Sequence, residues 1–206
     1  MLYKVFTNYE LNKKEITHQR IIEKAAELFN SRGYASTSIT DIMKATGLQK
    51  GGIYSHFKNK EELELAAFSY LLKKIFESFD TSLFNNKTTA EKLFIWIDYR
   101  ESLNNTLLKG GCPLFNAGSE SYGYNQELNI HVKKSIERWK RSIIEILKEG
   151  IAKKDVKPGL DPEEFALHFI TVLEGAAFLA LVYSDGKYKS KAIERLKQAI
   201  KKEVAK

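Results

Sequence analysis

Lys50, Tyr54, Ser55 and His56 stand around a Gly51–Gly52 pair, with Ser38 and Thr40 a short way before them and Lys60 just after. These side chains carry positive charge, hydroxyls and a ring N–H, which is the chemistry of gripping a polyanion rather than of making or breaking bonds. Lys50 is long enough to reach guanine O6/N7 or a phosphate oxygen. The Tyr54 hydroxyl and His56 can donate to phosphates, which fixes register without reading sequence. Glycines at 51 and 52 remove side chains, so that a helix end and its N–H groups can come close to a phosphate. Two glycines inside a helix cost roughly 1 kcal/mol each, so a solvated outer face with no partner gives them no purpose.

The elements that must position these groups are short and well punctuated. A helix is predicted over 17–32, with Ile21, Ile22, Ala25, Leu28 and Phe29 on one face. Gly33 ends it, and residues 1–12 read as an arm ahead of it. Ser38 reads as the N-cap of a second helix over 39–46, with Asp41 at N3 completing an acidic capping box, and Gly47 as its stop. A third helix follows over 50–57 with Gln49 at its cap, and Ile53 and Phe57 should turn inward. Asn59 caps a fourth helix over 60–79, with Glu62 completing its box. Helix, glycine turn, helix is the helix-turn-helix plan, whose second helix lies in the major groove of DNA.

Bulk properties agree. The chain has 206 residues, a net charge of +7 and 43% apolar residues, enough for one large domain or two small ones. Nine basic and four acidic residues between Lys13 and Lys60 concentrate most of the positive excess at one end. A single cysteine, Cys112, excludes an intrachain disulfide and fits a reducing cytoplasm. The N-terminal stretch mixes Lys, Glu and Asn too early for a secretory signal. The most apolar run, 165–183, is almost long enough to span a bilayer. It is interrupted by His168, Glu174 and Gly175 and capped like the helix of a soluble protein, so the expectation is a buried helix and no membrane partner.

Beyond residue 80 the sequence also reads as helices, over 89–108, from Pro113, and over 126–153, 161–184 and 187–205. Asp161-Pro162-Glu163-Glu164 is a clear helix start, with a cap, an N1 proline and acids at the positive end of the dipole. Strand signals are almost absent, and the expected fold class is all-α.

Residues 17–60 resemble the N-terminal domain of the tetracycline-repressor (TetR) family of bacterial regulators. The resemblance is carried by Ala25-Ala26-Glu27-Leu28-Phe29, Gly33-Tyr34, Thr37-Ser38-Ile39, Asp41-Ile42, Ala45-Thr46-Gly47-Leu48, Lys50-Gly51, Ile53-Tyr54, His56-Phe57 and Asn59-Lys60-Glu61-Glu62-Leu63. It implies phosphate contacts from Ser38, Tyr54, His56 and Lys60, and base-facing positions at Thr40, Lys50, Gly51, Gly52 and Ser55. Two positions depart from the family pattern: Gln49 replaces the usual Ser or Thr cap, and Thr40 stands where a longer basic side chain is frequent. The resemblance further implies a DNA-binding domain over 13–60, joined by the fourth helix to a helical domain over 61–206 that dimerises and encloses a small-molecule pocket. Double-stranded DNA with a pseudo-palindromic operator, a small effector and a second copy of the chain are then the partners.

The helix over 161–184 is apolar nearly all round, so one side should meet its own bundle and the other a second subunit. Ile193, Leu196, Ala199 and Ile200 form a narrow stripe suited to the same interface. For an effector pocket the candidate residues are Trp96, Tyr99, Cys112, Phe115, Tyr122, Glu174 and Phe178, an apolar lining with a few polar anchors. Glu174 has two readings, a ligand contact or a pair across the dimer. Cys112 also has two: a thiol whose pKa is lowered by a helix N-terminus, or a small buried apolar residue.

No catalytic or metal arrangement stands out. His18, His56, His131 and His168 lack partners at ligand spacing, Gln49-Lys50-Gly51-Gly52 lacks the Gly-Lys-Ser/Thr ending of a nucleotide loop, and no serine sits in a nucleophile elbow. No cofactor is expected. Two rival readings remain, a DNA-binding protein of this fold with no small effector, and an enzyme built on a helical bundle.

Overall fold

The computed structural model of the chain describes residues 12–77, 79–106 and 110–206, with the side chains of 104–106 outside that description. The arm expected over 1–12 falls almost wholly outside the described residues. Helix α1 spans Lys13–Arg32, α2 Ile39–Thr46, α3 Lys50–Tyr54 and α4 Lys60–Glu77. Then come α5 Thr89–Thr106, α6 Pro113–Ser121, α7 Gln126–Ala152, α8 Pro162–Tyr183 and α9 Gly186–Ala199. A 3-10 turn at Thr81–Phe84 precedes α5, and a π turn at Ile200–Val204 follows α9. Among the described residues no strand forms. One isolated antiparallel bridge joins Val156 to Ala205.

Capping chemistry sets most of the ends. Helix α1 begins four residues before the predicted start, because the Asn12 side chain accepts from the Lys14 and Glu15 N–H groups and Glu15 closes the box on the Asn12 N–H. The α2 box forms as expected between Ser38 and Asp41, and Gly47 ends the helix in the left-handed region at φ 71°. At α4, Asn59 accepts from the Glu62 N–H, but the Glu62 carboxylate reaches the Lys58 N–H instead of that of Asn59. Helix α3 stops at Tyr54, shorter than predicted, and Ser55 back-bonds to the Gly52 carbonyl.

Helix α1 packs on α2 and along α4. Ile21, Ala25, Phe29, Ile42, Ile53 and Leu63 are fully buried and share one core, which Phe57 also enters. Helix α4 continues without a break from this unit into the larger bundle, where it packs on α6 and α7. In the bundle α7 lies against α5, α6 and α8, while α9 covers one side of α8. The other side of α8 is open: Leu167, Phe178, Leu179, Leu181, Val182 and Tyr183 are exposed. Helix α8 is long and apolar enough to cross a bilayer, with a third of its most apolar window buried within the protomer; the expectation gave one side to the bundle and the other to a second subunit. Among the described residues nothing covers this outer face.

Candidate nucleic-acid interface and buried polar cavity

The three-helix unit presents most of the candidate DNA-contacting side chains at its exposed surface. Ser38, Thr40, Lys50, Gly51, Tyr54 and Ser55 are all exposed, while Ile53 and Phe57 point into the core and hold α3 in place. Lys50 leans over the Tyr54 ring, with Nζ 5.9 Å from the ring centroid. A Cβ added at Gly51 would meet nothing within 4 Å, and at Gly52 it would make only an ordinary contact with Leu48. Nothing among the described residues therefore requires glycine at 51. The missing side chain matters only to something that approaches from outside. The Gln49 side chain caps no α3 N–H.

His56 sits half-buried beside His18, ring centroids 5.6 Å apart, in a shallow groove that Lys14, Glu15, Gln19 and Ser55 complete. Burial, then the neighbouring His18 and Lys14, hold the His56 imidazole below its ordinary pKa. The shift favours the neutral ring, which offers one N–H donor. The first turns of α1 thus flank α3, a contribution missed because Lys13 and Lys14 adjoin a stretch that reads as an arm. The Ser38 hydroxyl and N–H both serve the Asp41 carboxylate, which these hydrogen bonds hold below the usual range.

Lys60 is turned inward. Its ammonium donates to the Tyr34 carbonyl at 2.6 Å and lies 3.3 Å from the Glu64 carboxylate. Glu64 is completely buried. It also accepts from the Asn125 amide at 2.8 Å and the Tyr124 hydroxyl at 3.3 Å. Lys60 therefore ties the start of α4 to the loop after α1 and to the α6–α7 connection, instead of presenting its charge on the exposed surface with Lys50.

A second buried polar group lies in the bundle. Leu72, Ile75 and Phe76 of α4, Trp96 and Arg100 of α5, Cys112 and Leu114 at the start of α6, and Trp139 of α7 surround a narrow cavity. Its water-accessible volume is about 10 Å³, room for about one water molecule. Arg100 donates from one terminal nitrogen to Glu174 at 2.9 Å and to the Cys112 sulfur at 3.3 Å, and its guanidinium stacks 5.2 Å from the Trp139 ring.

Helix α6 and the turn before it reach both this cavity and the three-helix unit. The Asn116 amide donates to the Asn30 carbonyl at the end of α1, and the Asn30 amide donates to the Gly111 carbonyl. The Ala35 N–H donates to Glu120 at 2.8 Å. Gly110, at φ 100°, lies so close to α1 that a Cβ there would stand 2.2 Å from the Asn30 carbonyl oxygen.

Residues 21–67 match the model of bacterial regulatory proteins of the tetR family, and residues 93–196 match that of the tetracyclin repressor-like C-terminal domain. The chain belongs to the TetR family. The crystal structure of a TetR transcriptional regulator from Chloroflexus aurantiacus J-10-FL is 38% identical and covers 95% of this chain and 99% of its own, with a TM-score of 0.88. A TetR-family regulator from Cytophaga hutchinsonii is 32% identical, covers 96% and 99%, and has a TM-score of 0.85. A fatty acid metabolism regulator protein of Bacillus subtilis (strain 168) is 28% identical over 73% of this chain and 76% of its own length.

As a TetR regulator the protein is a DNA-binding transcription factor and not an enzyme. Among the described residues no group of three or more His, Cys, Asp or Glu side chains could hold a metal. The structure divides the pocket residues predicted for this TetR protein. Trp96 and Cys112 line the cavity. Tyr99 packs beside it, its hydroxyl donating to the Ile75 carbonyl and its ring on Phe79. Glu174 pairs within the protomer, with Arg100, which is neither of the two partners expected. Tyr122 is 83% exposed in the turn after α6, and Phe115 and Phe178 meet as a tilted pair, ring centroids 5.2 Å apart, on the outer surface, so none of these three lines the cavity. Cys112 is buried, and loss of water raises its thiol pKa despite Arg100, which fits the second of its two readings, the small buried residue, and not the lowered thiol. Sequence reasoning did not single out Arg100, because α5 has no one-sided apolar pattern against which a lone cation would stand out.

Proposed function

We propose that this TetR regulator is a homodimeric repressor, in the cytoplasm, that leaves its operator when a small molecule enters the cavity between α4, α5, α6 and α7. The observation that carries the reading is the double engagement of α6. Its N-terminal residues Cys112 and Leu114 face the cavity, while Asn116 and Glu120 hold the end of α1 and the loop after it. Helix α4 makes the same connection, with Leu72, Ile75 and Phe76 on the cavity and Lys60 on the Tyr34 carbonyl. The cavity is nearly filled by side chains, so an occupant must move α4 or α6 and with them the recognition unit. The resulting shift is no larger than the effector's differential affinity for the two arrangements.

The dimer reading is supported by the uncovered apolar face of α8, extended by the Phe115–Phe178 pair. A two-fold axis there would set two recognition helices about 34–36 Å apart on a pseudo-palindromic site. Phosphate contacts are assigned to Ser38, Tyr54 and His56, and base contacts to Thr40, Lys50, Gly51, Gly52 and Ser55, while Lys60 acts by positioning.

The test is fluorescence-anisotropy titration on the DNA upstream of the protein's own coding region and on scrambled DNA, at two salt concentrations. Tight binding to the first alone, lost with Lys50→Ala or Tyr54→Ala, is expected. Equal and steeply salt-dependent binding to both DNAs would leave only phosphate attraction at that site.

A further inference from the structure

We propose that the cavity takes a small apolar monocarboxylate, whose carboxylate replaces Glu174 on Arg100. The proposal rests on the ligand-responsive reading above and names its effector class. The argument starts from what the cavity leaves unsatisfied. Leucine, isoleucine, phenylalanine and tryptophan side chains supply almost all its walls. Trp139 is 3% exposed, and its indole N–H finds no hydrogen-bond partner. Arg100 is 8% exposed, and its described hydrogen bonds use one terminal nitrogen of a guanidinium that carries five N–H donors. Among the residues that line the cavity, the buried nitrogen left without a partner is the Trp139 indole N–H, beside the Arg100 guanidinium, and that donor calls for an acceptor oxygen. An amine would add a cation beside Arg100, and a hydrocarbon would leave the indole N–H unpaired.

The choice of a carboxylate over a neutral carbonyl comes from the state of Glu174. One of its oxygens meets Arg100 at 2.9 Å, but the other, Oε2, is buried with no hydrogen-bond partner. The pair is thus half-satisfied on the acid side, and an unpaired buried carboxylate oxygen is costly. Glu174 lies near the bundle surface, its side chain 16% exposed against 9% for Arg100, so it can turn to water when a better partner arrives. A ligand carboxylate is that partner, since it can take the remaining Arg100 N–H groups side-on and accept from the Trp139 indole with the same group. Its apolar tail would wedge against Leu72, Ile75 and Phe76 of α4. The exchange also cuts the tie between α5 and α8 that Arg100 and Glu174 make.

The chain has two tryptophans, Trp96 and Trp139; both line the cavity, with rings 6.1 Å apart. Intrinsic fluorescence of the full-length protein is therefore a local reporter that needs no DNA. Titration with straight-chain acids from propanoate to octanoate, and with hexanamide and hexylamine, tests the proposal. At least one acid should give a saturable change, hexanamide should bind roughly ten-fold more weakly for loss of the charged contact, and hexylamine should give none. Arg100→Met should abolish binding. Trp139→Phe, read through Trp96, should weaken it roughly five-fold, the worth of one hydrogen bond. Glu174→Gln should tighten it, because the competitor for Arg100 is gone; a residue that merely braces the site would weaken binding when changed. Saturable binding of the amide equal to the acid, weaker binding in Glu174→Gln, or no response to any acid overturns the proposal. A parallel operator titration separates the two readings. An acid that binds without releasing DNA would leave the carboxylate site standing and defeat the ligand-released repressor, while release by an amide or amine but by no acid would do the reverse.

Discussion

Glu64→Ala should destabilise the protein by about 3 kcal/mol, with its effect centred on the junction between the recognition unit and the bundle. The carboxylate is fully buried and holds three groups: Lys60 at 3.3 Å, the Asn125 amide at 2.8 Å and the Tyr124 hydroxyl at 3.3 Å. Removing one member of a buried ion pair costs about 3–5 kcal/mol, because the other charge loses its partner. The lower end applies here, since the Lys60 side chain is 21% exposed and keeps the Tyr34 carbonyl at 2.6 Å. Glu64→Gln keeps an acceptor for Asn125 and loses the charge, so about 1–2 kcal/mol is expected. Urea unfolding at one fixed protein concentration measures both, and the Lys60→Met/Glu64→Ala double variant completes a cycle with a coupling of at least about 1 kcal/mol. A Glu64→Ala cost below about 0.5 kcal/mol, the range of ordinary surface changes, or additive single effects, would refute the assignment of this cluster as the junction's electrostatic anchor.

Three further outcomes are expected. Burial holds the His56 pKa below 6.5 in the free protein. Folding therefore disfavours its proton, and the stability it contributes is present above pH 6.5 and falls as pH drops through 6.5 toward the folded value. A phosphate raises that pKa again, so operator affinity should rise between pH 7.5 and 6, and His56→Gln should flatten the anisotropy profile. Gly110→Ala forces a left-handed φ of 100° on alanine and a Cβ 2.2 Å from the Asn30 carbonyl oxygen; a loss of at least about 2 kcal/mol in thermal unfolding is expected. Leu181→Asp, on the open face of α8, should reduce the mass seen by light scattering to that of a monomer while helical circular dichroism is unchanged.

What the sequence revealed follows the range of the forces involved. Helix ends set by local chemistry were legible, such as the Ser38–Asp41 box, the Gly47 stop and the Asp161–Pro162 start. The exposed positions around Lys50 were legible because the inward Ile53 and Phe57 fix the phase of α3. The destination of Lys60 was not, since it depends on a carbonyl 26 residues earlier and on Glu64 being drawn inside by Asn125, 61 residues further on. The cavity was harder still. Arg100, Cys112, Trp139 and Glu174 come from four helices, and nothing in any one segment announces that they meet. An aromatic residue such as Tyr122 has the same composition signal whether it lines a pocket or faces water.

Helix α3 has five residues, two of them glycine, and too few turns to persist alone. Its shape belongs to the scaffold, through Ile53 and Phe57, and the reading surface proposed for it belongs to exposed residues that make few contacts with their own protein. The two sets of positions do not overlap. On the proposed base contacts, changes at Thr40, Lys50, Gly51 or Ser55 would redirect the protein to a different operator with little effect on folding, which would leave binding specificity open to drift while the architecture stays fixed. A lineage with this arrangement can duplicate and acquire new gene targets by a handful of exchanges, without first passing through an unstable intermediate.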